Sequence, residues 1–131
     1  MQEKSFTLLE LIIVVVLIGI LAAIAIPNYS GIKDQVLDKE AQANLRLIIA
    51  AERIYNMEMG HYYANSNNTT QPQAIQDLNS NLLLYLPYGS TRNWDYLSTG
   101  NCSQANSTSG TNRTYRMRTS ETDPQRNSTC P

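Results

Sequence analysis

Near its N-terminus the chain has an almost unbroken apolar run from Phe6 to Ile26, and apolar residues become sparser after residue 60. As a helix this run is roughly 30 Å long, about the thickness of the hydrocarbon core of a bilayer. Its one charged residue is Glu10, and a lone carboxylate in lipid costs about 2.5 to 3.5 kcal/mol. The pattern therefore predicts a hydrophobic anchor helix over residues 6–27 that crosses a membrane once and contains an acid in need of a partner.

A second helical pattern follows the anchor. Between Ile32 and Met59, apolar residues recur at steps of three and four, with charged residues between them. This period predicts an amphipathic stem helix over residues 28–59, with Gly60 as its end. Three residues in the joined anchor and stem disfavour regular helix and predict a kink or an unwound turn between residues 19 and 31. They are Gly19, Pro27 and Gly31.

The remaining residues, 60–131, are rich in Asn, Ser, Thr and Tyr, and we expect them to form a small globular head. A helical turn is predicted at residues 72–78. Short strands separated by polar turns are predicted at residues 82–86, 93–97 and 113–118. The predicted fold class is α+β, with a long kinked N-terminal helix packed on a small antiparallel β-sheet head.

Two cysteines, Cys102 and Cys130, enclose a stretch of the head that is rich in Ser, Thr and Asn. In an exported head the two thiols are expected to pair and close a C-terminal loop, which stabilises a small domain by about 3 kcal/mol. The alternative is a pair of free thiols. A structural zinc site takes four ligands and His61 is the single histidine, so no metal site is predicted.

The charged residues exclude other classes of function. Seven arginines and three lysines are scattered among eleven acids, for a net charge of −1, and they form no basic stripe for a specific nucleic acid. His61 has no catalytic nucleophile in a recognisable setting, and there is no phosphate-binding glycine loop. We therefore expect no enzyme, no cofactor and no small-molecule substrate. A membrane-anchored or secreted binding module is the alternative from another class.

The N-terminal run has two interpretations. A charged start, an apolar middle and the small residues around Ala23 and Ala25 fit a secretory signal peptide, although Glu10 interrupts the apolar region. The stretch "SFTLLELIIVVVLIGILAAIAIPNY" instead resembles the N-termini of type IV pilins and of the pseudopilins of type II secretion systems. In this resemblance Phe6 is the first mature residue and Glu10 is its fifth.

The resemblance implies a route of processing and assembly. A prepilin peptidase would remove the leader peptide, residues 1–5, by cutting between Ser5 and Phe6, and would methylate the new amine of Phe6. The precursor would reside in the inner membrane. Assembly machinery would then build a homopolymer through the N-terminal helices, as an extracellular pilus or a periplasm-spanning filament. Glu10 would pair with the Phe6 amine of a neighbouring subunit. The sequence departs from the family at Ser5, where glycine is almost always found.

The head decides between the two branches of this superfamily. A loop closed by Cys102 and Cys130 is similar to that of many type IV pilins, whereas major pseudopilins resemble one another in a calcium-holding loop. The acidic residues of the head follow no recognisable ligand spacing. These acids are Asp77, Asp95, Glu121 and Asp123. The resemblance therefore favours a pilin for adhesion, motility or DNA uptake, and a major pseudopilin of a type II secretion system is the alternative.

Six Asn-X-Ser/Thr triplets in the head are candidate glycosylation sites. They begin at Asn67, Asn68, Asn101, Asn106, Asn112 and Asn127. A chain this rich in Asn, Ser and Thr also produces such triplets by chance. Sugars at these positions would give a filament a hydrated exterior.

Overall fold

The structure is a computed structural model that describes residues 6–65, 73–90, 92–109 and 112–131, with the side chains of residues 26–28 left aside. The chain divides into two compact units after residue 36. The same helix contributes to both units, and each unit is described by itself.

Helix α1, Leu8–Met59, includes both the predicted anchor and the predicted stem. Its segment Leu8–Ala25 is long and apolar enough to cross a membrane, and none of it is buried within the molecule. The helix is continuous through the three predicted helix-breaking positions, so it contains no unwound turn there. A bend of its axis at these positions stays a prediction.

Residues 37–131 form the second unit, in which the end of α1 joins one short helix and a small sheet. Helix α2 is Gln73–Asn81. The strands are β1 Trp94–Ser98, β2 Cys102–Ser107, β3 Thr114–Arg118 and β4 Gln125–Arg126. They pair antiparallel in the order β1-β2-β3-β4. The α+β architecture is therefore confirmed, including the strands predicted at 93–97 and 113–118.

The core of this unit lies between α1 and the sheet. Leu45 and Ile48 of α1 are fully buried in one cluster with Trp94 and Tyr96 of β1. Each large apolar side chain buried in this way contributes about 1.5 to 3 kcal/mol. The indole N–H of Trp94 donates to the carbonyl of Leu37 at 2.9 Å, so the polar atom of this buried ring is also satisfied.

The predicted strand at residues 82–86 is wrong, because this segment forms a turn followed by irregular chain. Asn79 replaces a neighbouring strand as its hydrogen-bond partner. The Asn79 side-chain oxygen accepts from the N–H of Leu86 at 2.8 Å, and its amide nitrogen donates to the carbonyl of Leu86 at 2.9 Å. An Asn side chain that bonds to nearby backbone commonly competes with a β-ladder in this way.

Strand β2 lies in the region that the sequence pattern assigns to a turn. It pairs with β1 on one side and with β3 on the other, for example Ser103 opposite Met117. Its buried side chains are small: Cys102, Ser103 and Ala105. Pairing on both sides therefore overrides a composition that favours turns.

The C-terminal part of the chain is attached to both the sheet and α1. Cys102 and Cys130 form a disulfide with 5.9 Å between their Cα atoms, as predicted for an exported head. The Arg53 guanidinium donates to the carbonyl of Thr119 at 2.7 Å, and Arg46 pairs with Asp123 at 2.8 Å. Two arginines seven residues apart on α1 therefore hold the turn after β3.

Candidate functional site

The N-terminal end of α1 holds Glu10 in a capping box with Thr7. The Thr7 backbone N–H donates to Glu10 Oε2 at 3.1 Å, and the Glu10 N–H donates to Thr7 Oγ1 at 3.2 Å. The Thr7 hydroxyl also donates to Glu10 Oε2 at 3.0 Å. This reciprocal arrangement satisfies two of the backbone donors that a helix start leaves open. Thr-Leu-Leu-Glu is the sequence signature of such a box, although the box was not predicted.

Both predicted assembly residues are open to the surroundings in the single chain. Phe6 is 75 % exposed, and the Glu10 carboxylate is bonded by Thr7 alone among the described residues. The predicted leader residue Ser5 lies outside the described residues. A carboxylate held only by its own helix start keeps lone pairs that a cation from another chain can use.

The head half of α1 carries apolar residues on a second side that the head leaves uncovered. These residues recur at steps of four and three, and all are exposed: Ala43, Leu47, Ala50, Ile54 and Met57. With 3.6 residues per turn they lie opposite the buried side that contains Leu45 and Ile48. The spacing is that of a helix–helix seam. We call these five residues the outward stripe. The helical spacing of the stem predicted one apolar face, and this second face was not predicted.

Glu52 is a second acid on α1, and it is fully buried in the head. Its Oε1 accepts from the Ser98 hydroxyl at 2.7 Å, and its Oε2 accepts from the backbone N–H of Tyr63 at 2.9 Å. Burial raises the pKa of Glu52, and these two hydrogen bonds lower it in part. Glu52 therefore connects α1 to β1 and to the chain that follows α1. Sequence reasoning missed it.

Three of the four acids considered for calcium contact arginines instead. Asp95 pairs with Arg92, Glu121 with Arg116 at 3.0 Å, and Asp123 with Arg46. Within the described residues, no group of three or more His, Cys, Asp or Glu side chains is placed to hold a metal ion.

The ring of His61 makes local contacts only in the described part of the chain. Its Nδ1 lies 3.1 Å from the carbonyl of Met59, and its ring packs edge-on against Tyr55. Neither contact provides the base or nucleophile of a catalytic pair.

The candidate glycosylation sites differ in exposure. Asn101, Asn112 and Asn127 are exposed, and Asn106 in β2 is half-buried. Asn67 and Asn68 lie outside the described residues. Exposure permits modification of the first three, and glycosylation stays a prediction.

Comparison with known proteins matches residues 1–26 to the family model described as the prokaryotic N-terminal methylation motif. These residues include the helix start with Glu10 and most of the exposed apolar segment. Similar relatives include both pilins and secretion proteins. The N-terminal segment of this chain is thus similar to those of a type IV major pilin and of type II secretion core proteins.

Three relatives illustrate the range of this similarity. The type IV major pilin protein of Myxococcus xanthus is 43 % identical over 61 residues, covering 47 % of this chain and 28 % of the relative. The type IV narrow pilus major component of Thermus thermophilus is 49 % identical over 53 residues, covering 40 % of this chain and 42 % of the relative. The type II secretion system core protein G of Escherichia coli is 33 % identical over 61 residues, covering 47 % of this chain and 42 % of the relative.

The chain therefore spans less than half the length of each of these relatives. No solved structure gave a significant match. The similarity therefore concerns the N-terminal part of the chain, and it says nothing about the head.

Proposed function

We propose that this chain is the structural subunit of an extracellular type IV pilus-like filament that serves adhesion, motility, DNA uptake or a related surface function. The precursor is held in the inner membrane by α1. Prepilin peptidase cuts it between Ser5 and Phe6 and methylates Phe6. Assembly machinery then moves it into a homopolymer. The chain acts by assembly and not by catalysis.

The uncovered apolar surface of α1 carries this proposal. Segment Leu8–Ala25 has no cover within the molecule, and the outward stripe adds a second uncovered apolar surface in the head half of the helix. Burial of apolar surface yields about 25 cal/mol per Å². Lipid covers the first surface before assembly, and a bundle of α1 helices covers both surfaces afterwards. The seam-like spacing of the outward stripe suits a helical neighbour.

Glu10 gives the bundle its register. After cleavage, the new amine of Phe6 enters the same apolar environment as the Glu10 carboxylate of a neighbouring subunit. Opposite charges within a few ångströms are the least costly arrangement for two ions in a medium of low dielectric constant. The capping box leaves Glu10 accessible for this contact.

A major pseudopilin is the second candidate, favoured by the similarity to the secretion core protein G. The disulfide-closed loop between Cys102 and Cys130 favours the pilin. Deletion of the gene separates the two functions. A pilin deletion removes surface filaments and leaves protein export unchanged, whereas a pseudopilin deletion blocks export.

Charge placed on the outward stripe tests the assembly role. The double variant Leu47→Lys and Ile54→Lys is expected to abolish filaments sheared from cells and counted by electron microscopy, because two ammonium groups cannot be buried in an apolar seam. The matched control is Ser120→Lys and Thr122→Lys, which adds the same charge on an exposed turn outside the outward stripe. Normal filament numbers from the stripe variant, with a folded head, contradict the proposal.

A further inference from the structure

The segment after α2 buries every second side chain and exposes those between. Leu82, Leu84 and Leu86 belong to the core cluster, whereas Leu83 is 85 % exposed and Tyr85 is 98 % exposed. We call Leu83 and Tyr85 the loop ridge. Two large side chains presented in this way are not explained by the folding of the head itself, because the head buries little of either one.

The backbone holds the loop ridge in place. Asn79 makes two side-chain hydrogen bonds to the backbone of Leu86, and its carbonyl accepts from the N–H of Leu84 at 3.0 Å. Leu83 has a φ of 52°, a left-handed conformation that is uncommon for leucine and easier for asparagine. Leucine at this position is therefore unfavourable for the backbone, and strain of this kind is typical of a residue with a function. Because the Leu83 side chain is exposed, we look for that function outside the head.

Two shallow recesses border the ridge, and Leu83 lines both. One has a volume of about 340 Å³ and is bounded by Ser80, Tyr85 and Tyr88. The other has a volume of about 230 Å³ and is bounded by Ile54 and Tyr55 of α1. Because Ile54 also belongs to the outward stripe, the apolar surface of the ridge is continuous with that of α1.

We propose that the loop ridge packs against an adjacent copy of this chain in the filament, as an extension of the contact made by the outward stripe. The inference rests on the proposed function, since it requires heads placed side by side. It assigns a specific head contact to Leu83 and Tyr85.

The size and chemistry of the patch favour a second copy over a free partner. Two exposed side chains and their recesses provide far less than the roughly 1,600 Å² buried in a typical stable complex. Heads fixed in a row by their α1 helices face one another at high effective concentration, so a small contact is sufficient. The ridge itself is uncharged, so identical copies do not repel each other there.

A photo-crosslinking amino acid placed at Tyr85 tests the contact in intact filaments. The expected product is a covalent dimer of this chain, which is lost when the subunits are irradiated in the membrane before assembly. The same amino acid at Leu47 is the reference for the outward stripe. Dimers from Leu47 without dimers from Tyr85 overturn the loop contact and leave the proposed function standing. Absence of both dimers overturns the loop contact and the outward-stripe contact, whereas absence of this chain from sheared filaments overturns the proposed function. A Tyr85 product with a different protein overturns the choice of a second copy.

Substitutions in the ridge give a second measurement that does not depend on crosslinking. Leu83→Asn suits the left-handed backbone, so thermal unfolding of the head is expected at an unchanged or higher temperature. Filaments built from Leu83→Asn with Tyr85→Ser are expected to dissociate at a lower temperature than wild-type filaments. An unchanged dissociation temperature contradicts the contact.

Discussion

Helix α1 contains two glutamates in apolar surroundings, and the molecule holds them in opposite ways. Glu10 lies in a segment without any burial, and among the described residues it is bonded by Thr7 alone, three residues away. Glu52 is fully buried and accepts hydrogen bonds from Ser98 and Tyr63, 46 and 11 residues away. Because its partners lie in the same head, Glu52 has a structural role in the fold. The local partner of Glu10 leaves it available to another chain. An acid in an apolar pattern therefore has to be interpreted through the location of its partners.

The largest expected effect is at Glu10 and separates its two roles. Glu10→Gln preserves a capping box, since glutamine also serves at this position, but removes the charge. Glu10→Ala removes both. If the acid pairs with the amine of a neighbour, each variant inserts into the membrane normally and loses filaments, as counted by electron microscopy. Filaments in normal number from Glu10→Gln would show that Glu10 serves only to cap the helix.

The next largest effect compares two leucines on opposite sides of α1. Leu45 is buried in the head core and Leu47 lies in the outward stripe. Leu45→Ala is expected to lower the free energy of unfolding of the head by about 3 to 5 kcal/mol, through lost burial and the cavity left behind. Leu47→Ala should leave that free energy nearly unchanged and weaken the filament. Chemical denaturation checks the first effect and heat dissociation of filaments checks the second. Equal destabilisation of the head by both variants contradicts the two-sided interpretation of α1.

Removing the disulfide has a somewhat smaller expected effect. The double variant Cys102→Ser and Cys130→Ser opens a loop with a sequence separation of 28 residues. The unfolded chain gains freedom, which lowers the free energy of unfolding by about 3 to 4 kcal/mol. Denaturation of the variant beside the wild type, with and without a reductant, provides the measurement. The reductant should destabilise the wild type and leave the variant unaffected.

The smallest expected effect is the dependence of head stability on pH through Glu52. Its pKa in the folded head is raised above the ordinary value of 4.5, chiefly by burial. A group whose pKa is raised in the folded state contributes to the free energy of unfolding. This contribution is complete below the pKa of the unfolded chain and is lost as pH rises through the folded pKa. We therefore expect Glu52→Gln to remove a decline in melting temperature between pH 4.5 and neutrality. Glu58→Gln, an exposed acid on the same helix, should retain the decline.

Much of the fold could be predicted because its signals are local. The apolar period of α1, its end at Gly60, and the strands β1 and β3 are all readable from alternation or helical spacing. Gly60 indeed has a φ of 77°, the left-handed conformation typical of a residue that ends a helix.

The features that were predicted wrongly or not at all share a physical cause. Each depends on a hydrogen-bond or packing partner that the local sequence pattern does not indicate. Strand β2 has no apolar alternation and is defined by the strands on both sides of it. Buried and exposed side chains alternate along residues 82–86 as they do in a strand. The Asn79 side chain, however, bonds to the N–H and carbonyl of Leu86, which a neighbouring strand would need. A lone acid on an amphipathic helix is ordinarily solvated, so nothing near Glu52 in the sequence indicates its burial.

The candidate assembly site was predictable in part. The position of Glu10 within an apolar run indicated that the acid has a functional role. The Thr7 residue three positions earlier, which completes the signature of a capping box, could also be recognised in the sequence. The outward stripe was harder to recognise, because stem residues that are apolar on two sides give a weak helical period. Only the placement of the sheet against one side distinguishes the covered face from the uncovered one.

The disulfide between Cys102 and Cys130 has a consequence for proteolytic damage. It encloses β2, β3, β4 and the exposed turns between them in one covalent ring. A protease that cuts once within residues 103–129 leaves both pieces attached to the same subunit. Arg46 and Arg53 still hold the turn after β3 on α1. A nicked head can therefore keep its place until a second cut releases a fragment.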